Sequence, residues 1–295
     1  MNVLVTGSNG FIGKNIVHEL SQNYQVIGAG RGNRNLSEAT DYFRWDIGKE
    51  PYPDKLLAKK PEIIIHGASS LDKNDCSSEL AATNCLGTHR VYQIAKEIQP
   101  QLVILLSSVP VVGLPNGIVT ENTQLKPITI YHVTKVFQEM VFSQLGLSMP
   151  QIRIVNLRIP APIGPGQSEQ TIVPIFIRKA LNNEDITILG KGTRKQNYVD
   201  VRDIARAVEG IIEHKKAHGI YNIAASVPVS NIDLAKLCID LTGSRSKIVF
   251  SDKADMADGQ VWDVDCTKLK NDTEYTPVYS LEKTICDMAS FMRKN

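Results

Sequence analysis

At 295 residues the chain suits one large domain, or a medium one with a small companion. Its 42% hydrophobic and 22% charged residues are ordinary for a soluble globular protein. Basic residues number 33 and acidic ones 31, a formal charge of +2 with no dense basic run, so no nucleic-acid partner is expected. There is no apolar run that could span a bilayer and no basic-then-apolar leader pattern, so the expectations are no membrane and a cytoplasmic location.

A short apolar run, Val3-Leu4-Val5, stops at Thr6-Gly7-Ser8-Asn9-Gly10-Phe11-Ile12-Gly13, and a helical pattern follows with Ile12, Ile16 and Leu20 on one face. Strand, glycine turn and helix together give such spacing a meaning. Gly7 permits the tight turn, Gly10 lets backbone approach a pyrophosphate, and Gly13 lets the helix pack closely on the strand. The helix N-terminus offers unpaired N–H groups to phosphate. By itself, G-x-x-G-x-x-G also suits any tight strand-to-helix turn.

A second strand is predicted over 24–29. It ends at Gly30-Arg31-Gly32-Asn33-Arg34, where a dinucleotide fold often carries an acid for the adenine-ribose hydroxyls. Arg31, with Arg34 nearby, suits a 2′-phosphate instead, which favours NADP over NAD; a solvated turn arginine is the other reading. A short strand over 42–47 ends near Asp46, and 51–60 reads as a short helix. The continuous apolar run 62–65 closes at His66-Gly67-Ala68-Ser69, as a strand covered on both faces does, with His66 read as a packed residue. A long helix over 78–98 carries Asn84. Strand 102–106 closes at Ser107-Ser108, a Pro- and Gly-rich loop fills 110–127, a helix runs over 129–145, and a strand over 152–157 ends at Arg158-Ile159-Pro160. Strands and helices alternate without a hairpin signal, so the fold class is α/β with a doubly wound parallel sheet. Ligands bind such sheets at the carboxyl ends of the strands, where these small and polar residues collect.

Past Arg158 the pattern changes. A rigid loop fills 159–166, helices are predicted over 171–181, 203–213, 232–241 and 281–292, and short strands over 186–189, 198–201, 220–224 and 248–250. This divides the chain into a dinucleotide-binding domain, 1–158, and a substrate-binding region, 159–295, with some elements returning to the main sheet. Asp252, Asp255, Asp258, Asp263 and Asp265 do not match a calcium loop and read as a solvated loop with helix caps, and no metal is expected. Cys76, Cys85, Cys238, Cys266 and Cys286 are odd in number and form no C-x-x-C pair, as free thiols do.

Tyr131 and Lys135, four residues apart on one helix, lie on one side, and the apolar stripe Val133, Val136, Phe137 and Met140 points roughly the other way. They are either surface residues or a general acid/base whose phenol a nearby ammonium lowers toward working pH. Ser108 stands at a strand end earlier in the chain, able to hold a substrate oxygen.

The three pieces in this order resemble the extended short-chain dehydrogenases/reductases, the NAD(P)-dependent epimerase/dehydratase family. The carriers are the turn Thr6 to Gly13, Ser107-Ser108-Val109-Pro110-Val111-Val112-Gly113 (Val112 standing for the usual Tyr), Tyr131 with Lys135, Leu157-Arg158, Gly164-Pro165-Gly166, and Gly190-Lys191-Gly192 through Tyr198-Val199-Asp200-Val201-Arg202-Asp203. The resemblance covers nearly the whole chain. It implies a Rossmann-type sheet with a smaller C-terminal α/β lid, an NADP or NAD cofactor, a small-molecule substrate such as a nucleotide sugar, and a homodimer. It implies catalysis by Ser108, Tyr131 and Lys135. Cofactor contacts would come from Gly7, Asn9, Gly10, Phe11, Ile12, Gly13, Arg31, Arg34, Asp46, Ile47, Gly67, Ala68, Ser69, Asn84, Ser107, Tyr131, Lys135, Arg158 and Ile159.

Departures narrow the reading. The family's 4,6-dehydratases carry Asp-Glu where this chain has Val109-Pro110, so a dehydratase is not expected. Ala161 and Gln196 replace an Asn and an Arg that often meet a nucleotide diphosphate, and Arg194, Lys191, Lys195 or Arg202 could restore the charge. Reductase and epimerase stay open, with Arg31 and the small lid favouring reduction. A non-catalytic NAD(P)-binding sensor on the same fold is the alternative; the presence of Ser108, Tyr131 and Lys135 together speaks for an enzyme.

Overall fold

A computed structural model of the protein describes residues 1–71, 78–115, 117–225 and 227–294, so Cys76 lies outside the described residues. The chain begins with β1 (Asn2–Thr6), α1 (Phe11–Leu20), β2 (Gln25–Gly30), β3 (Asp41–Arg44), α2 (Asp54–Leu57) and β4 (Ile63–His66). It continues through α3 (Ser78–Ala81), a π-helical stretch (Ala82–Leu86), α4 (Gly87–Ile98), β5 (Leu102–Ser108), a 3-10 turn (Val109–Val112), β6 (Ile118–Val119), α5 (Ile130–Ser148) and β7 (Arg153–Ile159). Then follow β8 (Ala161–Ile163), α6 (Ile172–Leu181), β9 (Ile186–Leu189), β10 (Lys195–Gln196), β11 (Tyr198–Asp200), α7 (Val201–Glu213), β12 (Gly219–Asn222) and β13 (Val229–Ser230). The last elements are α8 (Asn231–Thr242), β14 (Ile248–Ser251), β15 (Val261–Val264), α9 (Thr267–Thr273) and α10 (Leu281–Lys294).

Seven strands pair in parallel in the order β12-β7-β5-β4-β1-β2-β3, the doubly wound sheet expected from the alternation. The unalternating strands are apolar because both faces are covered. In β1, Val3 and Val5 pack into the layer built with α1 and α7, while Leu4 packs into the opposite layer with α4 and α5. A third cluster joins α6, α8 and α10 over β9 in the C-terminal region.

The two regions trade strands. β12 joins the main sheet beside β7, with Asn222 opposite Arg158. In return β6, from the first half, pairs with β15 in the small sheet β13-β10-β15-β6.

Several expectations change in detail. The helix over 51–60 shrinks to α2, because Pro53 can only stand before its first turn. The helix over 78–98 is split by the π-helical stretch that holds Asn84. The loop 159–166 contains β8, paired with β11. The acidic segment is not all loop: Asp263 lies in β15, and Asp265 caps the turn into α9 by accepting from Thr267 N. Asp258 accepts from Lys191 N and Thr193 N and so fastens the 190–193 turn.

α5 is inverted relative to an ordinary amphipathic helix. Thr129 caps it by accepting from His132 N. Its buried face is Thr134, Lys135, Gln138 and Glu139 before Phe142 and Leu145, while Val133, Phe137 and Met140 face outward, Met140 at 63% exposure.

Candidate active site

The glycine turn is built for close approach. Gly7 has φ +76, and a Cβ there would stand 2.8 Å from Ala68 N. A Cβ on Gly13 would stand 2.1 Å from Gly7 O, so helix and turn meet backbone to backbone. Gly10 is the cap residue of α1 and has no side chain to serve its first amides. This is a cradle that any side chain would fill, beside an N-terminus with free donors, and it fits a dinucleotide pyrophosphate.

Asn9 has a different task from Gly7 and Gly10. Its Nδ2 donates to Arg34 O at 2.8 Å and to Tyr42 OH at 3.0 Å, and its Oδ1 accepts from Leu36 N at 2.9 Å. These hydrogen bonds hold the loop after β2, and Tyr42 of β3, against the turn. Arg31 leaves that loop to pair with Glu79 at 2.5 Å, both half-exposed. Asp46 is largely buried and accepts from Gly48 N, and Ile47 is packed under Gly87. Phe11 and Ile12 open α1 half-buried.

Three further strand ends meet around α5. Gly67 has no room for a side chain against Leu106 and Thr6. Ala68 N donates to Thr6 Oγ1. Ser69 Oγ donates to Asn84 Oδ1 at 3.1 Å, and Ser70 N reaches the same oxygen at 2.8 Å. Asn84 Nδ2 donates to Thr134 Oγ1 at 3.0 Å, so the π-helical stretch anchors α5 one turn from Tyr131. Ser108, half-buried at the end of β5, forms no side-chain hydrogen bond that caps the following 3-10 turn.

Tyr131 and Lys135 lie together, the Lys135 Nζ 5.7 Å from the Tyr131 ring centre. The expectation that the ammonium lowers the phenol does not hold in this geometry. Nζ turns to Leu106 O at 3.0 Å, and burial pushes the Tyr131 phenol well above its usual range, with the Ser69 hydroxyl pulling the other way. Burial also brings Lys135, only 3% exposed, down to about 8, with Glu139 opposing that fall. His132, beside Tyr131 with ring centres 5.1 Å apart, is held down by burial and by Lys135.

Beneath them His66 is buried and pushed down to about 3 by desolvation, then by Lys135. Thr88 Oγ1 donates to Asn84 O at 2.7 Å, so it can only accept from His66 Nε2 at 2.9 Å. His66 Nδ1 therefore accepts from Thr6 Oγ1 at 2.8 Å. The ring is neutral and structural, as read from the sequence.

Arg158 and Ser107 turn to α5. Arg158, 1% exposed, donates from Nε and Nη2 to Glu139 at 2.9 and 2.8 Å, and Ser107 Oγ donates to Glu139 Oε1 at 2.6 Å. Both were expected at a cofactor; their side chains are engaged with this carboxylate, and Ile159 is buried behind them. The sequence reading missed Glu139, although its place four residues after Lys135 was the available signal.

On the lid side, Arg202 is bound by Asp200 and Asp287, which removes it as a replacement charge. Arg194 is half-buried, its guanidinium 5.5 Å from the Trp262 ring centre, with Nη2 donating to Gln196 Oε1 at 3.0 Å and Nε buried without a partner. Trp262 Nε1 donates to Gly113 O, which ties this group to the turn after Ser108. Lys191 and Lys195 are exposed, and Ala161 is half-buried in β8.

A sequence model of the NAD dependent epimerase/dehydratase family matches residues 3–224. The chain is 27% identical to a Bacillus subtilis protein named as an uncharacterized UDP-glucose epimerase YtcB, over 99% of this chain and 98% of that one. It is 24% identical to a dTDP-glucose 4,6-dehydratase of Streptomyces antibioticus, over 100% and 93%. Its fold superposes with a TM-score of 0.89 on the UDP-glucose 4-epimerase of Thermotoga maritima, solved with UDP-glucose, at 24% identity and 100% and 99% coverage.

Proposed function

The chain belongs to the NAD dependent epimerase/dehydratase family, and we propose that it is a reductase or epimerase acting at a hydroxyl- or keto-bearing carbon of a nucleotide sugar, with Tyr131 as acid/base. The observation that supports this is Tyr131 beside Lys135, whose Nζ reaches Leu106 O on the strand that Ser108 closes, together with the glycine cradle at the end of β1. A nicotinamide bound there supplies the carbon that gives or takes hydride. The free donors at the start of α1 would hold its pyrophosphate, and Lys135 would hold its ribose.

In the mechanism, the Ser108 hydroxyl orients the substrate oxygen. Tyr131 keeps its proton at neutral pH because burial raises its phenol, so it is ready to protonate the oxygen of a ketone as that carbon is reduced. In the reverse sense the ionised phenol would accept the proton of an alcohol. Val109 and Pro110 bring no acid or base beside Ser108, which argues against water elimination even though 4,6-dehydratases are among the relatives.

Arg194 supports an anionic substrate. It is a half-buried guanidinium stacked on Trp262, two residues from Gln196, and suits a diphosphate. NADP is the favoured cofactor, since β2 ends on Gly30 without an acid and Arg31 follows, although a 2′-phosphate has to compete with Glu79 for that arginine. A homodimer would cover the outward apolar face of α5. The free Cys85, Cys238, Cys266 and Cys286 suit a cytoplasmic setting, and no helix among the described residues is long and apolar enough to cross a membrane.

A panel of nucleotide sugars assayed with NADPH and with NAD⁺ tests the reading. Turnover with one of them is expected. Purified protein carrying tightly held NAD⁺ contradicts the reductase version, and a Tyr131→Phe variant with unchanged turnover contradicts the mechanism.

A further inference from the structure

Glu139 is a buried carboxylate for which the reaction as described has no use. It is 4% exposed, lies four residues beyond Lys135 and eight beyond Tyr131, and so continues their side of α5. Three groups from the neighbouring strands converge on this stretch of helix. Arg158 from β7 binds the carboxylate through two nitrogens, and Ser107 from β5 donates to it, one residue before Ser108. Lys135 donates to Leu106 O on the same strand. Arg158 Nη1 also reaches Glu121 O at 3.3 Å, and Glu121 Oε1 accepts from Asn222 N, so the clamp extends to the segment after β6.

We propose that Glu139 is a positioning residue: held by Arg158 and Ser107, it fixes the Tyr131–Lys135 side of α5 against the ends of β5 and β7 and balances the buried Lys135 ammonium. The groups facing Lys135 are few. On its own helix these are Tyr131, His132 and Glu139; from β4 comes His66, neutral by its hydrogen bonds; from β5 comes the Leu106 carbonyl; Arg158 on β7 stands behind Glu139. One buried carboxylate is thus paired with Arg158 and stands one helical turn from the buried Lys135. Removing that carboxylate makes a charged Lys135 harder to keep, and the bond it shares with Ser107 no longer holds Ser108 and Tyr131 in one frame.

The test reads Lys135 directly. The protein is labelled with [ε-13C]lysine, the Lys135 resonance is assigned with Lys135→Arg, and its titration is followed by NMR in the wild type and in Glu139→Gln and Glu139→Asp. Glu139→Gln is expected to move the Lys135 midpoint down by about one pH unit or more, and Glu139→Asp to bring it back toward wild type. The role in turnover rests on the proposed function and is read separately. With the nucleotide sugar found in the panel, the alkaline limb of kcat moves to lower pH in Glu139→Gln while KM stays close to wild type. Should Glu139→Gln not fold, since it leaves Arg158 unpaired, the double variant Glu139→Met/Arg158→Met replaces the pair with side chains that pack and takes the same measurements. A folded variant without the carboxylate whose Lys135 titration and kcat profile superimpose on wild type overturns the proposal. An active Tyr131→Phe variant overturns the proposed mechanism and leaves the lysine measurement to stand or fall alone.

Discussion

Tyr131 is half-buried beside a lysine that bonds to a backbone carbonyl, and desolvation of its phenol favours the protonated form. Tyr131→Phe should cost turnover about 10²–10⁴-fold while the protein still binds dinucleotide, measured by steady-state kinetics and by titration of the cofactor. Arg31 is paired with Glu79, and the proposed 2′-phosphate would have to displace that carboxylate. Arg31→Ala should weaken NADPH roughly tenfold or more and leave NADH nearly unchanged; equal losses for both would remove the argument for NADP. His66 makes an acid-stability prediction. Its folded value of about 3 lies below the ordinary 6.5, so the unfolded chain binds the proton first and stability falls as pH drops from 6.5 toward 3. His66→Asn should flatten that fall in melting temperature against pH. Ser108, Tyr131 and Lys135 stood out in the sequence by spacing and strand-end context, and of these the structure sets Tyr131 and Lys135 side by side. Glu79 as the partner of Arg31, and Glu139 as the partner of Arg158, were not legible, because each pairing depends on which strands and helices become neighbours.

The strands of the main sheet were readable because unbroken apolar runs have one good solution, burial on both faces. The turn before α1 was readable for the same kind of reason: its glycines answer a steric demand. Gly13→Ala puts a methyl 2.1 Å from Gly7 O. It should destabilise the fold by about 1–3 kcal/mol, as overpacking does, and weaken dinucleotide binding, both measurable by denaturant titration with and without cofactor. The π-helical stretch at Asn84 left no trace in the pattern, because one extra residue in a turn does not disturb apolar spacing enough to be seen. β15 and α9 were hidden in a segment rich in aspartates, read as a solvated loop with helix caps; Asp265 does cap the turn into α9, while Asp258 clasps the backbone of a distant turn.

Over the whole molecule, the division near residue 158 describes the chain but not the strand pairing, since β12 and β6 change sides. That exchange ties the strands that end in Ser108 and Arg158 to the small sheet. The outward face of α5, with Val133, Phe137 and Met140, is the surface a second copy would cover. Wild type should run as a dimer in sedimentation and Met140→Glu with Phe137→Glu as a monomer; a monomeric wild type removes the dimer. The central claim is that Tyr131 moves the proton in a dinucleotide-dependent reaction on a nucleotide sugar. The most direct measurement is turnover of the nucleotide-sugar panel, with NADPH and with NAD⁺, by wild type and Tyr131→Phe side by side. Turnover by wild type that collapses in the variant, with cofactor binding intact, is the predicted result. Equal turnover by both proteins would contradict it.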